Sequence, residues 1–130
     1  MIGTKPYKDP HSERDEVKEI LAKLDDLGII YYILAHEDGI SRAYSLDEHM
    51  HEDILAPMAA ALYTAARTAH REINKPAPKC VRLESEDATG LVVPVGEHYV
   101  LLVSGKPGEQ GLDSKINEIL GIAREVATKV

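Results

Sequence analysis

Four groups of residues in this sequence have side chains suited to chemistry, and the first is His49-Met50-His51-Glu52-Asp53. Two imidazoles one residue apart, with carboxylates beside them, are ligands that zinc accepts, provided a third ligand such as His36 or His70 comes near. The same stretch stands just before a long helical pattern, where acidic side chains meet the positive end of the helix dipole. We therefore favour a solvated helix start and expect no metal or other cofactor. A metal-dependent hydrolase built on His49 and His51 stays as an alternative.

The second group centres on Cys80, the single cysteine of the chain. A thiol nucleophile needs a neighbouring base, and His98 or His70 could serve, but no third residue that would orient the base is evident. One cysteine also excludes an intrachain disulfide and a zinc site made of thiols alone. We interpret Cys80 as a small hydrophobic residue rather than a catalytic one.

The third and fourth groups suggest phosphate chemistry. The Gly-rich loop from Gly105 to Gly111 precedes a helix, as phosphate-binding loops do, but its Gly-Lys pair is followed by proline instead of the Ser or Thr of the Walker pattern. Asp113, at the expected helix start, would also repel phosphate. Arg67 and Arg71 could act on a GTPase as arginines supplied to a phosphoryl group. We favour a plain connector for the loop and a solvated helix end for the arginines, and predict no catalytic residues.

The spacing of apolar residues predicts the elements that must position these groups. It indicates an α-β-β-α-β-β-β-α order, hence an α/β sandwich in which helices cover both faces of a five-stranded, mostly antiparallel sheet. Residues 1–11 are expected to form a flexible arm, and residues 12–130 a single domain. The predicted elements are a helix from Ser12, as N-cap, to Gly28, strands at 29–35 and 40–46, a helix from about Asp53 to Ile73, strands at 79–85, 91–95 and 98–104, and a last helix capped by Asp113. Pro94 inside the fourth strand indicates a bulge or a locally open edge.

The long helix is the segment that most constrains function. No charged residue occurs from Ile54 through Ala66. When successive residues are placed 100° apart around the helix, its apolar residues span an arc of about 140°. This is wider than the roughly 100° that packing on one sheet requires. The arc comprises Ile54, Leu55, Met58, Ala59, Leu62, Ala65, Ala66, Ala69 and Ile73, and we expect the outer face to carry alanines, Pro57, Tyr63 and Thr64. Small uncharged side chains on an outer face favour a second protein surface, although alanine is also simply a good helix former.

Composition narrows the classes of partner. The formal net charge is −7, from 22 acidic and 15 basic residues, whereas a nucleic-acid-binding domain needs a basic surface that releases counterions. No apolar stretch reaches the roughly 20 residues of a membrane span, and the first residues lack the apolar run of a secretory signal. We expect no nucleic acid, no membrane insertion and a cytoplasmic location.

Several segments, in their order and spacing, resemble the Roadblock/dynein light-chain family. They are Leu27-Gly28-Ile29 before the first strand, the hairpin turn Glu37-Asp38-Gly39-Ile40, the helix segment Met58-Ala59-Ala60-Ala61-Leu62, and Val93-Pro94-Val95-Gly96 ahead of Tyr99-Val100-Leu101-Leu102-Val103. The similarity covers about residues 13–130. Each motif is short and structural, so their common order carries the resemblance.

The resemblance implies a homodimer. The family has no shared catalytic motif that could be carried onto this chain. Family members pack their long helices together and join their third strands, and they serve as dynein light chains, lysosomal scaffolds or bacterial regulators of Ras-like GTPases. The expected function is thus a non-enzymatic regulatory module that binds a Ras-like GTPase; a small-molecule sensor of profilin-like fold, with a cavity beneath a helix, is the alternative. Carried onto this chain, the dimer surface would involve Leu55, Met58, Ala59, Leu62, Tyr63 and Ala66 on the helix, and Cys80, Val81, Arg82 and Leu83 within a pairing strand from Lys79 to Glu84.

Overall fold

The computed structural model describes residues 15–105 and 112–130. The predictions for the arm at 1–11, for Ser12 as a helix cap and for most of the Gly-rich loop lie outside the described residues. The division into an arm and one domain at 12–130 stays a prediction.

The described elements follow the predicted order, so the α-β-β-α-β-β-β-α class is confirmed. The helices are α1 (Glu16–Leu21, continued by a 3₁₀ turn at Ala22–Leu27), α2 (Glu52–Glu72) and α3 (Ile116–Ala127, preceded by a 3₁₀ turn at Asp113–Lys115). The strands are β1 (Ile29–His36), β2 (Ser41–Ser45), β3 (Val81–Glu84), β4 (Thr89–Val95) and β5 (Tyr99–Gly105).

The strands form one antiparallel sheet in the order β2-β1-β5-β4-β3. The apolar run Ile33-Leu34-Ala35 lies near its middle and is fully buried, as expected for a strand covered on both faces. At one edge, β3 pairs with β4 only as far as Val92. Pro94 therefore lies where no described strand borders the outer side of β4, which confirms the predicted open edge and explains how proline is tolerated there.

Two hydrophobic layers hold the helices on the sheet. The larger one joins the sheet to α1 and α3 through aliphatic side chains, among them Leu21, Leu24, Leu101, Ile119 and Val126. The smaller one joins it to α2, and the helix contributes mainly alanine: its members are Ile33, Ala35, Ala56, Ala59, Ala60, Tyr63, Val92 and Val100. The backbone of α2 therefore lies close to the sheet.

The helix ends agree with the predictions at Gly28 and differ from them at Asp113. The carboxylate of Asp15 caps α1 by accepting hydrogen bonds from the following backbone amides, and Gly28 ends the 3₁₀ turn at a left-handed φ of 80°, as predicted. The prediction that Asp113 caps the last helix is wrong: α3 begins at Ile116, and the Asp113 carboxylate instead pairs with Arg82 of β3. Because the Asp113 carboxylate pairs with Arg82, it does not cap the helix.

Candidate functional site

The structure buries a different face of α2 from the arc that the sequence indicates. Ala56 and Ala59 are completely buried against the sheet, and Ala60 and Tyr63 are only 5% exposed. Ala59 and Tyr63 were expected on the dimer surface, but within one chain they offer almost no area to a partner. They are buried because the helix approaches the sheet through its small side chains, and their part in a dimer surface stays a prediction.

Tyr63 is held by a hydrogen bond from its hydroxyl and by a cation over its ring. Its hydroxyl donates a hydrogen bond of 2.8 Å to the carbonyl oxygen of Pro78, and the Arg67 guanidinium lies 5.8 Å from the ring centroid. Burial raises the pKa of the Tyr63 hydroxyl, and the charge of Arg67 partly opposes that rise. Tyr63 therefore fastens the second half of α2 to the segment that leads into β3.

The opposite face of α2 is apolar and open. Ile54 is 53% exposed and Met58 55%, and the alanines that continue along the same face are exposed as well. We call this face the α2 stripe: Ile54, Met58, Ala61, Ala65 and Ala69. The predicted interface residues Leu55, Leu62 and Ala66 lie along its margin, half-buried. A long uncharged face open to solvent is typical of a surface that meets another protein.

Beside the stripe, α2 leaves part of the sheet uncovered. The strand register aligns Tyr31, Ser104, Gly90 and Leu83 in one row across four strands, and this row forms the floor of a groove of about 510 Å³. We call it the sheet groove; its apolar walls include Leu46, Met50, Leu55 and Leu102, and its rim includes Arg82, Glu84, Ser85 and Thr89. Sequence reasoning missed the groove, since only the register shows that these residues are neighbours.

The two edge strands differ in how open they are. On β2, a register shift at Leu34/Ala35 leaves Arg42 as an extra residue, and Asp15 holds its guanidinium at 3.1 Å. The hydrogen bonds from Arg42 lower the pKa of Asp15, and the charge of Arg42 adds to this, so Asp15 is ionised at neutral pH. Bulges and charged side chains of this kind prevent an edge from pairing with another strand. In contrast, β3 pairs with β4 without a bulge and leaves its outer side exposed.

The charges flanking the α2 stripe are segregated along the helix. The first turn and the loop before it carry only acidic charges, and the last turns and the segment that follows carry mainly basic ones. The acidic set is Asp47, Glu48, Glu52 and Asp53, and the basic set is Arg67, Arg71, Lys75 and Lys79, with Glu72 the acidic exception among them. The surface therefore changes sign from one end to the other.

The histidines considered as metal ligands do not converge. Within residues 15–105 and 112–130, no three His, Cys, Asp or Glu side chains lie where they could share an ion. His36 pairs with Asp38 at 2.9 Å, and a ring nitrogen of His70 lies 2.8 Å from the carbonyl oxygen of Pro76. The residues proposed as a third ligand to His49 and His51 are therefore engaged locally.

The cysteine, its suggested base and the second arginine also contact neighbouring residues of the fold. Cys80 precedes β3, because the strand begins at Val81 and not at Lys79 as expected, and its half-buried side chain packs against the larger hydrophobic layer. His98, its suggested base, pairs instead with Glu37 at 3.0 Å. Arg71 donates a hydrogen bond to the hydroxyl of Thr68, one turn earlier on the same helix.

The comparisons with known proteins identify one family and its fold. The sequence matches the Roadblock/LC7 domain over residues 13–104. The chain belongs to the Roadblock/LC7 family. A Roadblock/LC7 domain from Streptomyces avermitilis has the same fold, with a TM-score of 0.69, 20% identity, and coverage of 78% of this chain and 85% of that one.

Two MglB structures show the same Roadblock fold. Myxococcus xanthus MglB superposes with a TM-score of 0.75 at 14% identity, covering 88% of this chain and 97% of that chain. An MglB described with a tetrameric arrangement gives a TM-score of 0.72 at 19% identity, covering 88% and 87%. No curated protein matches the sequence. Among residues 15–105 and 112–130, no helix is long and apolar enough to cross a membrane.

Proposed function

We propose that this Roadblock/LC7 chain is a non-enzymatic regulatory module that forms a homodimer through α2 and β3 and binds a small Ras-like GTPase or a related assembly. The observation that carries the proposal is the α2 stripe, whose two large side chains, Ile54 and Met58, are more than half exposed. The adjoining sheet groove and the open edge of β3 extend the same surface. A second copy is the occupant that best accounts for all three features together.

Side-chain size and charge both favour an antiparallel arrangement of the two α2 helices. Along the stripe, large residues at Ile54 and Met58 give way to alanine at Ala61, Ala65 and Ala69. Antiparallel packing brings the large end of one helix to the small end of the other, whereas parallel packing would leave a gap between facing alanines. It also places the acidic start of each helix near the basic end of its mate, which favours this orientation over others.

For the GTPase, the proposal rests on the family resemblance and on the rigidity of such a dimer. A two-fold assembly presents two equivalent surfaces at a fixed separation. A module of this kind would hold or reposition the partner's own switch segments and would supply no catalytic residue. The acidic net charge of −7 argues against a nucleic-acid partner, and we place the protein in the cytoplasm without membrane insertion.

Two measurements test the proposed dimer and the proposed GTPase partner separately. Light scattering of the purified chain should give twice the 14.3 kDa mass of one chain, and a monomer at micromolar concentration would refute the dimer. The chain should then co-elute with a Ras-like GTPase of the source cell, loaded with GDP or a non-hydrolysable GTP analogue. Failure of every such GTPase to bind in either state would remove the regulatory assignment and leave the dimer standing.

A small-molecule sensor remains a second candidate because of the sheet groove. Its volume of about 510 Å³ is within the roughly 300–1,000 Å³ typical of ligand pockets. This function predicts that a metabolite raises the unfolding temperature and competes with self-association, since Leu55 and Leu83 would contact both. If no compound of a metabolite library shifts the unfolding temperature while the protein is dimeric, the sensor assignment is wrong.

A further inference from the structure

A second cleft lies at the end of the sheet opposite to the sheet groove. Its volume is about 480 Å³, within the roughly 300–1,000 Å³ typical of ligand pockets, and it is more enclosed than the sheet groove. Its walls are the second half of α2, the residues between α2 and β3, and the ends of β1 and β4 with the turn into β5. We call it the end cleft; its apolar lining includes Ala60, Pro94 and Val100.

One wall of the end cleft carries two cations that no described carboxylate neutralises. Arg67 and Lys79 both line the cleft, and neither forms an ion pair with an acidic residue among 15–105 and 112–130. Elsewhere in this part of the chain basic side chains do have carboxylate partners: Lys23, Arg42, Arg82 and Lys129. Because the chain as a whole is acidic, with a net charge of −7, two such cations in one cleft indicate that an anion binds there.

The guanidinium of Arg67 is held in place while its N–H donors stay available. It lies 5.8 Å from the centroid of the Tyr63 ring, and the Tyr63 hydroxyl is in turn fixed to the carbonyl oxygen of Pro78. A contact with the ring face uses no N–H donor, and Arg67 donates no hydrogen bond to any described residue. A planar guanidinium held in this way matches the two oxygens of a carboxylate or phosphate group. Lys79, directly after Pro78, adds a second positive charge.

The wall formed by the strand ends is acidic, which limits where a ligand can carry its charge. Glu37, Glu97 and His98 line this wall. A ring nitrogen of His98 lies 3.0 Å from the Glu37 carboxylate, and the Glu97 side chain is 92% exposed. A ligand with negative groups at both ends would bring one of them close to these carboxylates and be repelled. The charges of the cleft therefore fit a ligand with one anionic end and an uncharged body.

We propose that the end cleft binds a small organic anion with a single carboxylate or phosphate group, which is held by Arg67 and Lys79 while the uncharged body lies against the apolar lining. The site is separate from the proposed dimer surface. With 100° between successive residues, Arg67 lies about 120–180° around α2 from the residues of the α2 stripe. A second copy on the stripe therefore leaves the cleft accessible, and the ligand does not compete with self-association.

Calorimetric titration at fixed ionic strength tests the site with two probes, benzoate and phenyl phosphate, each an oxyanion on a phenyl ring. Wild-type protein should bind both with a Kd of about 1 mM or lower. Arg67→Gln and Lys79→Gln should each raise that Kd at least about tenfold, because each removes a charged donor to the oxyanion. Thermal unfolding of each variant shows whether it is folded, and Lys79 is exposed outside any helix or strand.

Arg71→Gln is the matched control, because it removes the same charge about one turn later on α2. Arg71 donates to Thr68 and does not line the end cleft, so the Kd of either probe should change at most about twofold. If Arg71→Gln weakens binding as much as Arg67→Gln does, the anion is attracted to the basic end of the helix in general, and the proposed site is wrong. Absence of saturable binding of both probes to wild-type protein at millimolar concentrations would also overturn it.

The requirement for a single anionic end is tested with terephthalate, which is benzoate with a second carboxylate at the far end of the ring. Terephthalate should bind at least about tenfold more weakly than benzoate, because its second carboxylate meets the acidic wall. If it binds as tightly as benzoate, the proposed ligand class is wrong. These titrations do not depend on the oligomeric state, so they can fail while the proposed dimer stands, and a monomeric protein would leave them unaffected.

Discussion

Glutamate substitutions at Met58 and Ala59 should have opposite consequences although the two residues are adjacent on α2. Met58 is 55% exposed on the α2 stripe, and Ala59 is completely buried against the sheet. Ala59→Glu forces four extra heavy atoms into a packed layer, three of which form an unpaired carboxylate, and this costs at least about 3–5 kcal/mol. Against a total stability of about 5–15 kcal/mol, the unfolding temperature should fall by roughly 10–20 °C.

Met58→Glu should leave the fold intact and impair self-association. Methionine and glutamate have similar helix propensities, so the stability of one chain should change by no more than about 0.5 kcal/mol. In the proposed dimer, each methionine would lose about 1 kcal/mol of burial, since only about half of its surface remains to be covered. The two methionines of the dimer together lose about 2 kcal/mol of binding free energy, so the dissociation constant should rise at least about thirtyfold.

Sedimentation across a concentration series, with thermal unfolding followed by circular dichroism, measures both effects. Thr64→Glu is the matched control, since Thr64 is exposed on α2 away from the stripe; it should change neither quantity. If Met58→Glu is folded and associates like the wild-type protein, the stripe is not the interface. If Ala59→Glu is as stable as Met58→Glu, the assignment of the buried face is wrong.

Four further substitutions test the local structure. Tyr63→Phe removes a half-buried hydrogen bond to backbone and should lower the free energy of unfolding by about 1 kcal/mol, measured in urea. Gly39→Ala should destabilise the protein, because φ is 92° and the new Cβ would lie 3.1 Å from the Cβ of Pro57; Gly121→Ala, within α3 and open enough for a methyl group, should instead be neutral or stabilising by up to about 1 kcal/mol. The lowered pKa of Asp15 means that its ionised form stabilises the folded state above pH 3.8, and that this contribution is lost as the pH falls through the lower folded-state pKa. Asp15→Asn should therefore flatten the dependence of unfolding free energy on pH in that acidic range, and an unchanged pH profile would contradict the role of this carboxylate.

Local sequence patterns determined the element order of this protein. The β-branched and aliphatic run of β1, the glycine turn after it and the proline pair before β3 each act over a few residues. Their effect does not depend on distant partners, so the order of helices and strands could be predicted. The boundaries near Lys79 and Asp113 differ from the prediction because each depends on a contact with another element. The strand β3 begins only where β4 can pair with it, and the carboxylate of Asp113 pairs with Arg82.

The tertiary structure alone decided which face of α2 is buried and what lies beside it. Apolar residues surround most of this helix, so hydrophobic periodicity does not single out one face. The choice depends on size: Ala56, Ala59 and Ala60 let the helix approach the sheet closely, which leaves Ile54 and Met58 on the outside. The sheet groove likewise exists only through strand register, because its floor brings together residues from four strands. Sequence therefore determines the apolar content of this surface, and packing geometry determines where it is exposed.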